Sequence, residues 1–397
     1  MASRLQFLGL PPELLMKIVS YLPARDVSSV CQSCKKLLQL ADQELVWQNL
    51  IKAEFNIRNQ LSNYHGSYKD VYTKILYEYK NMLGLWQPEM GSYGGLLHIK
   101  LREGKLIGEE CFAPIDPDVY QNLRVKRLFS IQLSGDLSCV DVLCYRGFAG
   151  PHPSHIEYTE SGNVKFRCSD SDSHKHPEGK QSEFESWLVE ETGQRPSEFF
   201  VHGQELLLMK FLVTTQLGCT YDLTRVHLPP PEVDVVIQPG LFKGNYGGHG
   251  IELIMLEYLP NKTEAHGKKI TGDPNVPANK ISLFIDLTRP MVLSIDQQRT
   301  IDLLQQIDIP DLPPDTYPNN LQKQSFRVPD DCFERFNRTP TSCIARFHAN
   351  GQIAGHDYSN PSQTPGHWVV FNENTFGFLW LELKSFSLYS RVTEEFD

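Results

Sequence analysis

Nowhere do the 397 residues hold an unbroken apolar run of the roughly 18 residues that a membrane-spanning helix needs. The start, Met1 to Phe7, lacks a basic region followed by an apolar run, so no secretory leader is expected. Positive charge is in short supply: 38 Lys and Arg against 48 Asp and Glu leave a net charge of −10. Binding through phosphate neutralisation needs the opposite balance, so neither a nucleic acid nor a membrane is expected as a partner. There is no Gly-x-Ser-x-Gly elbow and no His-Glu-x-x-His pair, and nothing in the sequence assigns bond-making chemistry to this polypeptide. Internal repeats and low-complexity tracts are absent. The nine cysteines are an odd number spread along a long chain. That reads as reduced thiols and a cytoplasmic and nuclear location. What is present is ordinary globular composition, 40% hydrophobic and 22% charged, with length enough for two to three domains.

The N-terminus carries the clearest pattern. Pro11 and Pro12 suit a first helical turn, where a missing N–H costs nothing. Leu14, Ile18 and Leu22 form one apolar stripe with Leu15 and Val19 beside it, and Pro23 stops the helix. Asp26 is expected to cap a second helix that carries Val27, Val30, Cys31, Cys34, Leu37, Leu38 and Ala41. A third run, Leu45 to Ile51, closes the unit. Three short helices bury little core alone, so an apolar face is left for a partner. Leu10, Pro11, Glu13, Leu14, Leu15, Ile18, Leu22, Asp26, Val27 and Trp47 together resemble an F-box. The resemblance implies docking on the Skp adaptor of a cullin-RING (SCF) ubiquitin ligase, with Leu10, Pro11, Leu14, Leu15, Ile18 and Leu22 as adaptor-binding residues. The F-box is placed at residues 5–55.

Residues 56–90 read as a helical linker: Val71, Tyr72, Ile75, Leu76, Tyr79, Met82 and Leu83 keep helical spacing, and Gly84 is a candidate C-cap. The linker is expected to tie the F-box rigidly to the remainder of the chain. Beyond it the punctuation is that of strands, with Gly94-Gly95 ahead of a hairpin and apolar runs broken by Gly and Pro. The fold class is therefore α+β, with residues 91–397 as one antiparallel β-barrel. Residues 296–340 read as an extended loop within it. In the run Phe376 to Arg391 both faces are apolar at first, as in a stave whose outside is covered.

Four residues, Cys144, His152, Cys168 and His174, form a Cys-x7-His-x15-Cys-x5-His series at predicted strand ends and loops. Two thiolates and two imidazoles complete a tetrahedral zinc set with no open position, so the ion would be structural. His155 and His176 are rival ligands. The alternative is two buried strand cysteines with solvent-facing histidines. The Cys31-x2-Cys34 pair falls on an apolar helix stripe and reads as core. In the glycine-rich stretch Pro239 to Gly250, Lys243, Asn245 and His249 are candidates to meet a ligand, against an elaborate barrel turn. Thr271, Asp273 and Asn275 surround a Gly and a Pro, either as acceptors at a pocket mouth or as ordinary turn residues. Ser385 lies on a polar face that lines a cavity or simply ends the sheet.

Longer passages carry a closer likeness: Leu83 to Pro88, Tyr93 to Leu97, Pro239 to Gly244, Lys269 to Asn275, Ile353 to His356 and Trp380 to Val392. They resemble the F-box only protein 31 family along nearly the whole chain. The resemblance implies a substrate receptor that delivers proteins for ubiquitination and proteasomal degradation. It also implies a zinc held by Cys144, His152, Cys168 and His174, and recognition of the C-terminal peptide of targets such as D-type cyclins or C-terminally amidated proteins. Asp273 is then the candidate acceptor for a terminal carboxamide, whose N–H₂ donates where a carboxylate cannot. Thr271, Asn275, Lys243, Asn245 and Ser385 complete the expected substrate set. Two other classes stay open, an F-box scaffold acting without a ligase and a small-molecule-binding barrel.

Overall fold

The structure, a computed structural model, describes residues 7–55, 65–116, 118–194, 201–216, 220–307, 323–335 and 338–396. Four short helices open it, α1 (Pro12–Val19), α2 (Ala24–Cys31), α3 (Lys35–Ala41) and α4 (Glu44–Phe55). Two expectations change here. The second expected helix is divided, because Gln32 caps α2 and Cys34 is extended at the start of α3. Asp26 lies inside the first turn of α2 and not at its cap, since Pro23 already sets the helix start.

The helical run of the linker begins at a capping box, in which Ser67 and Asp70 satisfy each other's backbone N–H groups. Its middle, Val71–Leu76, is a π-helix. The wider turn brings Val71, Tyr72, Ile75 and Leu76 all to the buried side. These four belong to one continuous core with Val46, Trp47, Leu50 and Ile51 of α4 and with Trp86, Leu97, Phe129 and Phe166 beyond them. Glu54 adds polar ties, accepting from Tyr72 Oη at 2.6 Å and Lys80 Nζ at 2.7 Å. The F-box and the sheet after it therefore share packing. Residues 56–64 of the expected linker lie outside the described residues. Gly84 is not a C-cap. It has φ 108° and opens the first strand, so the sheet starts inside the stretch read as linker.

The strands do not make one barrel. β1 (Gly84–Pro88), β2 (Leu97–Arg102), β3 (Lys105–Phe112), β4 (Arg124–Leu133), β5 (Val140–Cys144), β6 (His152–Tyr158), β7 (Val164–Cys168) and β8 (Thr220–Arg225) succeed one another around a closed ring. Antiparallel pairing of Trp86 with Arg225 closes it. The helices Lys180–Thr192 and Val201–Gln216 lie between β7 and β8. A second ring begins with β9 (Gly240–Asn245), β10 (Ile251–Tyr258), β11 (Glu264–Lys269) and β12 (Ile281–Pro290). Three two-residue strands, β13 (Gln324–Ser325), β14 (Phe333–Glu334) and β15 (Ser342–Cys343), precede its other half. That half is β16 (Ala345–Gly355), β17 (Ser359–Asn372), β18 (Thr375–Trp380) and β19 (Ser385–Arg391), and β19 pairs back to β9. Closure is a long-range pairing that local alternation does not encode, so one ring and two rings read alike in sequence. Pro229, Pro230 and Pro231 lie in the crossing between them, where no ladder donor is needed.

Each ring is filled. The second packs Phe242, Phe347, Trp368, Phe376, Phe378 and Tyr389 inward. The excursion between β12 and β16 covers its outside, setting Met291, Leu293, Ile301, Leu304 and Phe326 on Val369, Phe371, Leu379, Leu381 and Leu388. The expected extended loop thus contains a helix, Ile301–Gln305, and packed apolar residues, while residues 308–322 lie outside the described ones. Leu85, Leu96, Cys111 and Leu123 of the first ring meet Leu241, Leu253, Met255 and Ile270 of the second in a shared apolar seam.

Candidate functional site

Three places carry chemistry. The first is the F-box surface. Leu14 and Ile18 are 49% and 40% exposed and lie on one stripe of α1 with Tyr21 just beyond it. Pro11 is also exposed, and Leu10 and Leu22 are half-buried. Leu15 is fully buried against Leu37 and Leu40, so it holds the helices together and offers nothing to a partner.

The second is a cluster at the edge of the first barrel. Cys144 ends β5, His152 opens β6, Cys168 ends β7 and His174 lies in the next 3₁₀ turn, Asp172–His174. Their four ligand atoms all fall within 4.8 Å of one another. His152 Nε2 is 3.0 Å from Cys168 Sγ and 3.1 Å from His174 Nε2, and His174 Nε2 is 3.4 Å from Cys144 Sγ. A tetrahedral ion with N and S ligands has edges of about 3.3 to 3.8 Å, so the set can hold a metal. His152 Nδ1 donates to Gly150 O at 2.9 Å, which leaves Nε2 bare for an ion. The rivals are elsewhere: His155 is exposed, and His176 stacks edge-on against Phe148. Gly147 lets the ligand loop approach. It has φ +92°, and a Cβ there would stand 2.3 Å from His174 Cα.

The third is a cavity of about 300 Å³ at the mouth of the second barrel. Tyr246, His249, Lys269, Asp273, Asn275 and Ser282 line it from one side of the ring, and Gln352, Ile353, Trp380, Leu383, Ser385 and Ser387 from the other. Lys269 alternates inward on β11 with Ala265 and Gly267 and is 1% exposed. Its Nζ donates to Asp273 at 2.6 Å, pairs as a charge with a Glu252 carboxylate oxygen 2.7 Å away, and stands 4.3 Å from the centroid of the Tyr246 ring. Burial pushes Glu252 up to about 8, with Asp273 adding to the rise against the pull of Lys269. Burial also opposes the charge on Asp273, but Lys269, His249 and hydrogen bonds outweigh it and hold that carboxyl at about 2. Near neutral pH the buried charges therefore reduce to a Lys269–Asp273 ion pair beside a largely protonated Glu252. Asp273 Oδ1 accepts from the N–H groups of Asn275 and Val276, and Oδ2 accepts from Lys269. A carboxylate has about four acceptor sites, and the protonated Glu252 beside it competes for the fourth.

Of the residues expected to meet substrate or ligand, His249, Asp273, Asn275 and Ser385 line this cavity. The other three do different work. Lys243 is buried and donates to Gln121 O of the first barrel at 2.7 Å. Asn245 accepts from Leu388 N at 2.9 Å where the ring closes, and Thr271 accepts from Leu253 N at 2.8 Å. Gly240–Asn245 is strand, so only the end of the glycine-rich stretch is loop. Lys269, Tyr246 and Trp380 were not anticipated at the site. Inward alternation with Ala265 and Gly267 was the available signal for Lys269.

Comparison with known proteins agrees with this division. The F-box-like family profile matches residues 7–53, and that of the Cyclin D1 binding domain matches residues 223–395, which contain the second barrel. The chain is 36% identical to F-box only protein 31 of Rattus norvegicus over 439 residues, covering 99% of this chain and 86% of that protein. It is 35% identical to F-box only protein 31 of Homo sapiens over 99% of this chain and 84% of the relative. The corresponding figures for F-box only protein 31-B of Xenopus laevis are 35%, 98% and 84%.

Proposed function

The chain belongs to the F-box only protein 31 family, and from that premise we propose that it is the substrate-recognition subunit of an SCF ubiquitin ligase. The observation that carries the reading is the pairing, in one chain, of an exposed apolar stripe on the F-box with a polar cavity in the domain matched as cyclin-binding. Skp adaptor and cullin engage the first, and a protein substrate engages the second through its C-terminal peptide. The polypeptide itself recognises and does not react.

A terminal carboxamide suits the cavity. Its carbonyl takes a donor from Lys269, and its N–H₂ donates to the Asp273 carboxylate in place of Glu252. A terminal carboxylate would meet Asp273 as a like charge. D-type cyclins and C-terminally amidated proteins are the candidate substrates. Affinity purification of the full chain should recover adaptor and cullin together. Recovery of neither would leave a ligase-independent scaffold, and saturable lipid binding in the cavity with no peptide binding would leave a small-molecule barrel.

Zinc is the ion that the Cys144, His152, Cys168 and His174 donor set fits best, and with all four positions filled by protein its role is structural. Metal analysis should return one zinc per chain. Chelation is expected to raise amide exchange across 144–176 by at least about tenfold while α1–α4 keep their protection. Gly147→Val should drive His174 from the cluster and bring zinc well below stoichiometric.

A further inference from the structure

The turn that carries Asp273 is held from two sides. On its own barrel, Asn275 Nδ2 donates to Ala354 O at 2.9 Å and Tyr358 N donates to Pro274 O at 3.0 Å. The opposite side belongs to the first barrel. Gln87 Nε2 reaches across to Ile270 O at 2.7 Å, and both groups are buried. Gly272 N donates to Tyr93 O at 2.9 Å, Ala278 N donates to Ser92 O at 2.9 Å, and Gly94 forms an isolated antiparallel bridge with Thr271. The fit is close at Gly94, which has φ +57°: a Cβ there would lie 2.4 Å from Ala278 Cβ and 2.6 Å from Ile270 O. Tyr93 is itself buried, and the field of Asp273 reaches its phenol. These ties all land on the turn at 270–278, and the nearest residues of that turn line the cavity.

We propose that the end of β1 and the loop after it, Gln87 to Gly95, form a positioning element for the cavity: this piece of the first barrel fixes the 270–278 turn, and through it the Asp273 carboxylate, in the geometry that receives a chain end. The proposal rests on the reading of the cavity as a C-terminal peptide site and deepens it. The zinc-bearing barrel then has a part in recognition, because it supplies one face of the mould in which the selective turn is set. None of Gln87, Ser92 or Gly94 lines the cavity, so their effect passes through the turn.

The test compares the full chain with Gln87→Met, Gly94→Ala and Asp273→Asn. The probes are two synthetic peptide pools of identical sequences, one amidated and one with free carboxyl ends. Gln87→Met keeps the volume and removes the donor to Ile270 O. Gly94→Ala inserts one methyl against the turn. Each is expected to weaken binding of the amidated pool by about tenfold and to narrow its advantage over the free-acid pool, with zinc content and adaptor capture near those of the parent and a lowered thermal midpoint, more so in Gly94→Ala. Parental affinity and selectivity in both variants, with binding lost in Asp273→Asn, would overturn the positioning role alone. A loss shared equally by the two pools would mark general loosening and overturn it as well. Unchanged binding in Asp273→Asn would bring down the cavity reading and this inference together. Should Gly94→Ala fail to fold, Gln87→Met decides.

Discussion

The double variant Leu14→Asp/Ile18→Asp is expected to lose adaptor capture by at least about a hundredfold while both barrels stay folded. About half of each side chain is exposed on α1, and neither belongs to a core cluster, so their loss removes little from the protein's own core. Fully covering a Leu or Ile is worth roughly 1.5–3 kcal/mol, and about half of each is still to be covered, so the two account for about 1.5–3 kcal/mol, or about one to two orders of magnitude in affinity. The introduced carboxylates add a desolvation cost on the same face. Leu15→Asp is the contrasting case. It puts a charge into the contact with Leu37 and Leu40 and should unfold the helices before any question of binding arises. Titration of purified adaptor, with circular dichroism on each variant, separates the two outcomes.

Lys269→Met is expected to be the most damaging single change in the second barrel. It leaves Glu252 and Asp273 buried beside each other with no cation between them. Removing one partner of a buried ion pair costs about 3–5 kcal/mol, a large share of the net stability of a domain. The pH dependence has a definite sign. In the parent, Glu252 is raised to about 8, so its contribution to stability is full below the ordinary glutamate value and fades as pH rises through 8. Asp273 works the other way: held at about 2, it stabilises above the ordinary aspartate value and is lost as pH falls through 2. Without Lys269 that second contribution disappears and both carboxyls favour the protonated form. The variant should therefore be weakest near pH 8 and recover as pH falls toward 5. Urea midpoints at the two pH values provide the check, and a penalty independent of pH would contradict it.

Local chemistry was legible in the sequence, and long-range closure was not. The stripe Leu14, Ile18 and Leu22 predicts an apolar helix face from periodicity alone; α1 presents Leu14 and Ile18, while the helix stops at Val19 and Leu22 packs half-buried in the turn after it. Periodicity could not tell Leu15 from its neighbours, because it lies one position round the helix and its burial depends on where α3 packs. The clustering of Cys144, His152, Cys168 and His174 was readable from donor type and from their place at strand ends, where adjacent antiparallel strands bring residues far apart in sequence together. In the last strands, apolar residues on both faces implied a covered outside. The covering is the excursion after β12, which had looked too poor in periodicity to pack. The second ring stayed hidden because its closure joins Tyr389 to Gly244, a pairing no local signal announces. Lys269 stayed hidden for a related reason: a buried lysine is sensible only once Glu252, from the neighbouring strand, is beside it.

The central claim is that the mouth of the second barrel reads the end of a protein chain, and paired peptides test it most directly. Calorimetric titration of the full chain with peptides identical except for an amidated or free C-terminus should show the amidated form binding at least about tenfold more tightly, a difference of about 1.4 kcal/mol or more. Asp273→Asn should abolish that difference. Equal affinity for the two peptides, with the same values in Asp273→Asn, would contradict the account.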